Sequence, residues 1–186
     1  MDFWIDIDEI NLDIVSLIST YNLINGFLSS KINLNELKEI KKSLVSSQSM
    51  YIIKASDLFT NTFDIVSATT QLYNNINSVF KKIGIYLDYR NKETLKQISA
   101  LSSLRRTLNL RIIVNAPTNL FISTVISSYN IDYIKFDLKD ENFLKTFFKI
   151  RNKNLFKTRI ILDSNEYINQ YLEFADGFLL TYKDFF

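Results

Sequence analysis

Eight short apolar segments alternate with seven longer segments of helical periodicity, and this predicts an α/β fold: a compact, single (β/α)8 TIM barrel over residues 1–186. Three observations carry that reading. The apolar segments are near-continuous rather than alternating, as parallel strands covered on both faces are. Strand–helix alternation implies parallel pairing through right-handed crossovers. The strand count matches barrel closure. An open doubly wound sheet is the competing arrangement. It usually carries a glycine-rich phosphate turn after the first strand, and Gly26, Gly84 and Gly177 form no such cluster.

The strands are expected at Phe3–Ile7, Gly26–Ser29, Met50–Ala55, Gly84–Tyr89, Arg111–Asn115, Tyr133–Leu138, Thr158–Ser164 and Gly177–Tyr182. The helices are expected at Ile10–Thr20, Leu34–Val45, Thr60–Phe80, Lys92–Leu108, Thr118–Ser128, Glu141–Arg151 and Glu166–Phe174. Their apolar stripes, such as Leu95, Ile98, Leu101 and Leu104, read as core faces. The chain has three glycines and one proline, so its turns must be made by Asn, Asp, Ser and Lys. The C-terminal helix of the barrel is expected to be missing or reduced, because the sequence stops at Phe186 after the eighth strand. The aromatic end Tyr182–Phe186 then caps the barrel bottom or forms a contact with a homo-oligomer or protein partner.

Composition narrows the chemistry. Lys and Arg total 22 against 20 Asp and Glu, a balance that gives no reason to invoke nucleic acid. No segment approaches a membrane span, and MDFWIDIDEI is no signal peptide. The absence of cysteine excludes disulfides and thiolate metal sites and fits a cytoplasmic location. The absence of histidine removes the commonest general base and the commonest metal ligand. Acid–base work must fall to Asp, Glu, Lys or Tyr, and no metal or cofactor is expected. Asp6, Asp8 and Glu9 suggest a magnesium site less well than a helix cap, with Asp8 and Glu9 in the first turn. Lys38, Lys41 and Lys42, and Arg105 and Arg106, read as solvated helix faces.

Several segments, taken in order, resemble the transaldolase and fructose-6-phosphate aldolase family. FWIDID at Phe3–Asp8, followed by GFLSSKI at Gly26–Ile32, is similar to that family's first two strands. IYLDYRNKETLKQISAL resembles its fourth strand and helix, NIDYIKFDL its sixth strand, and FKTRIILDSNEYINQYLEFADGFLL its final unit. The resemblance implies a Schiff-base lysine on strand four, an aspartate on strand one, polar sugar contacts, and a serine and arginine for phosphate. Asp6 and Ser164 stand at the aspartate and serine positions. The lysine position falls on Leu87, which cannot form an imine, and a one-residue slip gives Tyr86 or Asp88. The strand-two contacts fall on Leu28, Ser29 and Ser30, the strand-three position on Ile52, the strand-five position on Asn115, and the arginine near Asp140.

The resemblance implies that Asp6 points inward, and strand periodicity then places Trp4 inside as well; the same mapping of the other strands implies that Lys54, Asn115, Lys135, Asp137 and Ser164 face inward. Two lysines and two aspartates make a neutral set. Two functions follow. One is a non-catalytic structural or binding barrel whose interior is an ion-pair plug, with Trp4, Ile52, Leu87 and Tyr89 adding bulk. The other is a diverged aldolase or lyase acting on a small sugar or sugar phosphate through a relocated lysine, Lys135 or else Lys54, with Asp6 assisting and Asn115, Asp137, Ser164 and Ser29 binding substrate.

Overall fold

The computed structural model describes residues 1–8, 10–19, 24–30, 33–43, 49–55, 64–137, 140–163 and 168–181. Eight parallel strands close into a barrel in chain order, with β1 paired to β8. The strands are β1 Asp2–Asp6, β2 Ile24–Ser29, β3 Met50–Lys54, β4 Lys82–Asp88, β5 Leu110–Asn115, β6 Tyr133–Phe136, β7 Arg159–Asp163 and β8 Gly177–Leu180. The helices are α1 Leu12–Ser19, α2 Leu34–Ser43, α3 Ile65–Ile76, α4 Lys92–Leu104, α5 Leu120–Ser128, α6 Glu141–Lys153 and α7 Ile168–Tyr171. The long third helix therefore starts later than its periodicity suggests, at the Asp64 cap, and α7 is a single turn. The aromatic end Tyr182–Phe186, and with it the question of a further helix, lies outside the described residues.

Helix starts are made by Asn and Asp. The side chains of Asn11, Asp64, Asn91, Asn119 and Asp140 accept backbone N–H groups of the first turns of α1, α3, α4, α5 and α6. Each such cap is worth about 1 kcal/mol. Asp140, at the position of the phosphate arginine, is thus a cap of α6. The β1–β2 register slips between Phe3 and Trp4. Asn25 fills the slip, accepting the Phe3 N–H and donating to Asp2, each at 2.9 Å. Such an irregularity masks the start of a strand in sequence, and β2 begins two residues before the expected Gly26.

Alternation along the strands builds two cores. The outer one joins the strands to the helices and includes Ile5, Phe27, Ile53, Leu87, Val114, Phe136 and Leu162 packed with Ile18, Leu37, Ile98 and Phe147. The inner one fills the barrel with Trp4, Leu28, Met50, Ile52, Tyr86, Ile113, Tyr133 and Ile161, with Leu179 against them. Every strand contributes to this inner layer, so the barrel is packed rather than hollow.

Glycine makes room for that packing. None of the three has a positive φ, so none serves as a turn. A Cβ on Gly26 would lie 2.3 Å from the Trp4 indole, and one on Gly177 would lie 2.2 Å from the Asp2 carbonyl oxygen across the β1–β8 seam. At the strand-entry end, two aspartates staple neighbouring strands. Asp132 accepts the Ile112 N–H and pairs with Arg105 and Arg111. Asp176 accepts the Ile160 N–H and pairs with Arg151. Arg105, half-buried, is therefore one of two cations on the buried Asp132 rather than part of a solvated face.

Candidate functional site at the barrel mouth

The polar residues of the site stand where the strands end. Four strands run from an apolar stretch into aspartate: FWID at Asp6, IYLD at Asp88, YIKFD at Asp137 and IILD at Asp163. β3 and β5 end on Lys54 and Asn115. Adding Asp8, which follows β1, the described residues of the mouth include the two lysines and five carboxylates, where the expected neutral set had two.

Both lysines are gripped by two carboxylates. Lys54 Nζ lies 2.5 Å from Asp6 Oδ2 and 2.8 Å from Asp8 Oδ2. Lys135 Nζ, its side chain only 6% exposed, lies 2.8 Å from Asp137 Oδ1 and 2.8 Å from Asp163 Oδ2. Asn115 Nδ2 donates to Asp88 Oδ1 at 3.0 Å, while Asn115 Oδ1 is buried with no hydrogen-bond partner among the described residues. Tyr86 forms part of the floor beneath them, within the inner core.

The environment sorts these acids. Burial alone would raise the Asp8 carboxyl. Hydrogen bonds from Lys54, the Ser29 hydroxyl and the Ser30 N–H outweigh it and hold Asp8 at about 2. Burial works against the Lys54 ammonium, but Asp6 and Asp8 outweigh it and push Lys54 above its ordinary value. Burial, with the neighbouring Asp137, pushes Asp163 up to about 6 despite Lys135. Burial and the carboxylates of Asp88, Asp163, Asp137 and Asp6 raise the Tyr86 phenol. A protonated lysine is no nucleophile, so the Lys54 arrangement opposes imine formation. Among the described residues no group of three or more acids is arranged to hold a metal ion.

The barrel brings Asp6, Lys54, Asn115, Lys135 and Asp137 together at one end. Ser29 lies on the outer side of β2, reaching Asp8 at 2.7 Å rather than the barrel axis. Ser164 lies outside the described residues. Leu87 faces the outer core, fully buried, so the inward residues of β4 are Tyr86 and Asp88. Tyr89 also packs on the outer core and adds no bulk inside. Asp8 is no helix cap, since Asn11 caps α1; Glu9 lies outside the described residues. Asp163 is not among the site residues expected from sequence, and Asp88 enters there only as an alternative register of the fourth strand. Their signal was the repeated apolar–Asp strand ending.

No family model matches the chain, and no characterised protein matches it in sequence. Among solved structures it is similar to a variant of the tryptophan synthase α-subunit from the hyperthermophile Pyrococcus furiosus. The TM-score is 0.66 and the identity 9%, over 98% of this chain and 86% of that one. It is similar to the 3-dehydroquinate dehydratase of Aquifex aeolicus, with a TM-score of 0.61 and 10% identity over 97% and 89% of the two chains. The flavin-binding domain of baker's yeast flavocytochrome b2 matches with a TM-score of 0.63 and 12% identity, over 92% of this chain and 52% of that one. No helix among the described residues is long and apolar enough to cross a membrane. Likeness at such identities speaks for architecture and not for activity: the chain has the TIM-barrel fold.

Proposed function

We propose that this chain is a transaldolase-like barrel that has lost its imine chemistry and acts as a non-catalytic structural or binding protein in the cytoplasm. The observation that carries this reading is the double carboxylate grip on each inward lysine. A Schiff base needs an amine that can shed its proton and approach a carbonyl. Here each ammonium is held between two acids, over a floor of Trp4, Ile52 and Tyr86. The inward residues of β4, Tyr86 and Asp88, supply no amine in the strand where the family resemblance would have one. The collinear strand motifs support the ancestry. The five carboxylates among the described residues of the mouth work against a sugar phosphate beside them. Borohydride reduction with dihydroxyacetone or fructose 6-phosphate is the test: the reading expects no covalent adduct, and an adduct on either lysine would end it.

One observation favours a second reading, a diverged lyase using Lys135. Asp163, raised to about 6, is an acid poised near neutrality beside a buried amine. In that case Lys135→Met abolishes a measurable turnover that Lys54→Met leaves in place. Turnover that survives both substitutions excludes the relocated lysine.

A further inference from the structure

The opposite end of the barrel is basic where the mouth is acidic. A cavity of about 140 Å³ opens there, among Asp2, Asn25, Lys82, Arg111, Tyr133 and Arg159. Three cations face one carboxylate. That carboxylate is already saturated: Asp2 accepts from Asn25 at 2.9 Å, from the Tyr133 hydroxyl at 2.9 Å and from Arg159 at 2.8 Å. Arg159 also lies over the Tyr133 ring, 4.1 Å from its centroid, so its guanidinium is held in a fixed plane. Arg111 is anchored through one nitrogen to Asp132, which Arg105 also neutralises. Counting Asp132 and Arg105 leaves the surplus at two positive charges. Lys82 has no carboxylate partner among the described residues. The connecting segments 20–23 and 44–48, which precede β2 and β3, contain no charged residue to supply one.

We propose that this cavity is an anion site for a small phosphoryl group, inorganic phosphate or the phosphate of a monoester. The chemistry fits in charge, size and donor geometry. Two guanidinium groups and an ammonium line one cavity and offer N–H donors to a tetrahedral dianion. The cavity is too small for a nucleotide and large enough for a phosphate. The Arg111 and Arg159 side chains are 41% and 44% exposed, which leaves the site open to solvent. Trp4, whose indole also lines the cavity, is the one residue it shares with the floor beneath the lysines, and the proposal does not depend on the proposed function.

The test is thermal unfolding of the full chain against increasing inorganic phosphate and, separately, glycerol phosphate, with chloride at matched ionic strength. The expected result is a saturable rise in Tm with phosphate or the monoester that chloride does not reproduce. The more tightly bound of the two anions identifies the physiological form. Lys82→Met, which breaks no ion pair among the described residues, should weaken the affinity about tenfold to a hundredfold. Arg159→Lys keeps the charge and loses the fork, and should weaken it several-fold if Lys82→Met does not fold. No saturable shift, a shift matched by chloride, or full affinity in the substituted chain would overturn the proposal. Binding at the mouth instead would survive Lys82→Met unchanged.

Discussion

Lys135 Nζ stands 2.8 Å from Asp163 Oδ2 at the end of β7 and 2.8 Å from Asp137 Oδ1, and so bridges the two carboxyl groups. Asp163 should titrate at about 6, followed by carboxyl carbon NMR. The sign for stability follows. The folded chain holds this proton more tightly than the unfolded chain, so the contribution of Asp163 is full below about pH 4 and is lost as pH rises through 6. Lys135→Met removes the cation that restrains the shift, and the Asp163 carboxyl should then titrate higher than in the parent chain.

Asp8 behaves in the opposite sense. Its carboxyl is held at about 2, so its contribution is present above the ordinary carboxylate range and is lost as pH falls through 2. Lys54→Met removes the largest stabilising partner of that carboxylate. The acid-unfolding midpoint should move to higher pH, and the Asp8 resonance should titrate nearer its ordinary value. An unchanged acid limb would show that Lys54 does not hold Asp8.

Gly26 exists for Trp4. With a Cβ placed 2.3 Å from the indole, Gly26→Ala forces the ring or the β1–β2 pair to shift. Chemical denaturation should register a loss of about 1–3 kcal/mol, the usual range for overpacking. In a Trp4→Ala background Gly26→Ala should cost much less, because the clash is with the Trp4 ring.

Leu155 should be replaceable at a gain. It follows α6 in the left-handed region at φ 55°, and its side chain is 84% exposed. It carries backbone strain without burial in return. Leu155→Gly relieves a conformation that costs a Cβ-bearing residue about 1 kcal/mol. The denaturation midpoint should rise, with no change in the steepness of the transition.

The barrel itself was readable because its strands are apolar on both faces, and that same property blurred the site. In β1 the alternation Trp4–Ile5–Asp6 ends on a charge, which fixes the phase. In β4 the run Ile83–Leu87 offers no polar residue until Asp88, so Leu87 could be set inward when it packs on the helices. In β7 the run Ile160–Leu162 is equally silent, so the phase that turns Asp163 inward is not fixed by the sequence. The ion pairs were beyond reach for another reason. Lys54 and Asp8 are 46 residues apart and Lys135 and Asp163 are 28 apart, and only the order of the strands in the sheet brings them together. Short-range capping rules assigned Asp8 to the nearest helix, and the longer-range partner won because Lys54, Ser29 and Ser30 all donate to it. Glycine was legible as absence of a phosphate loop, but not as space for Trp4, which needs the register.

On the proposed reading neither Lys54 nor Lys135 forms an imine, and reductive trapping measures that directly. The full chain is incubated with excess dihydroxyacetone and borohydride at neutral pH, then read by intact mass and peptide mapping. The expected result is an unmodified mass, with Lys54 and Lys135 both recovered free. A stoichiometric reduced adduct mapped to Lys54 or Lys135 would contradict it.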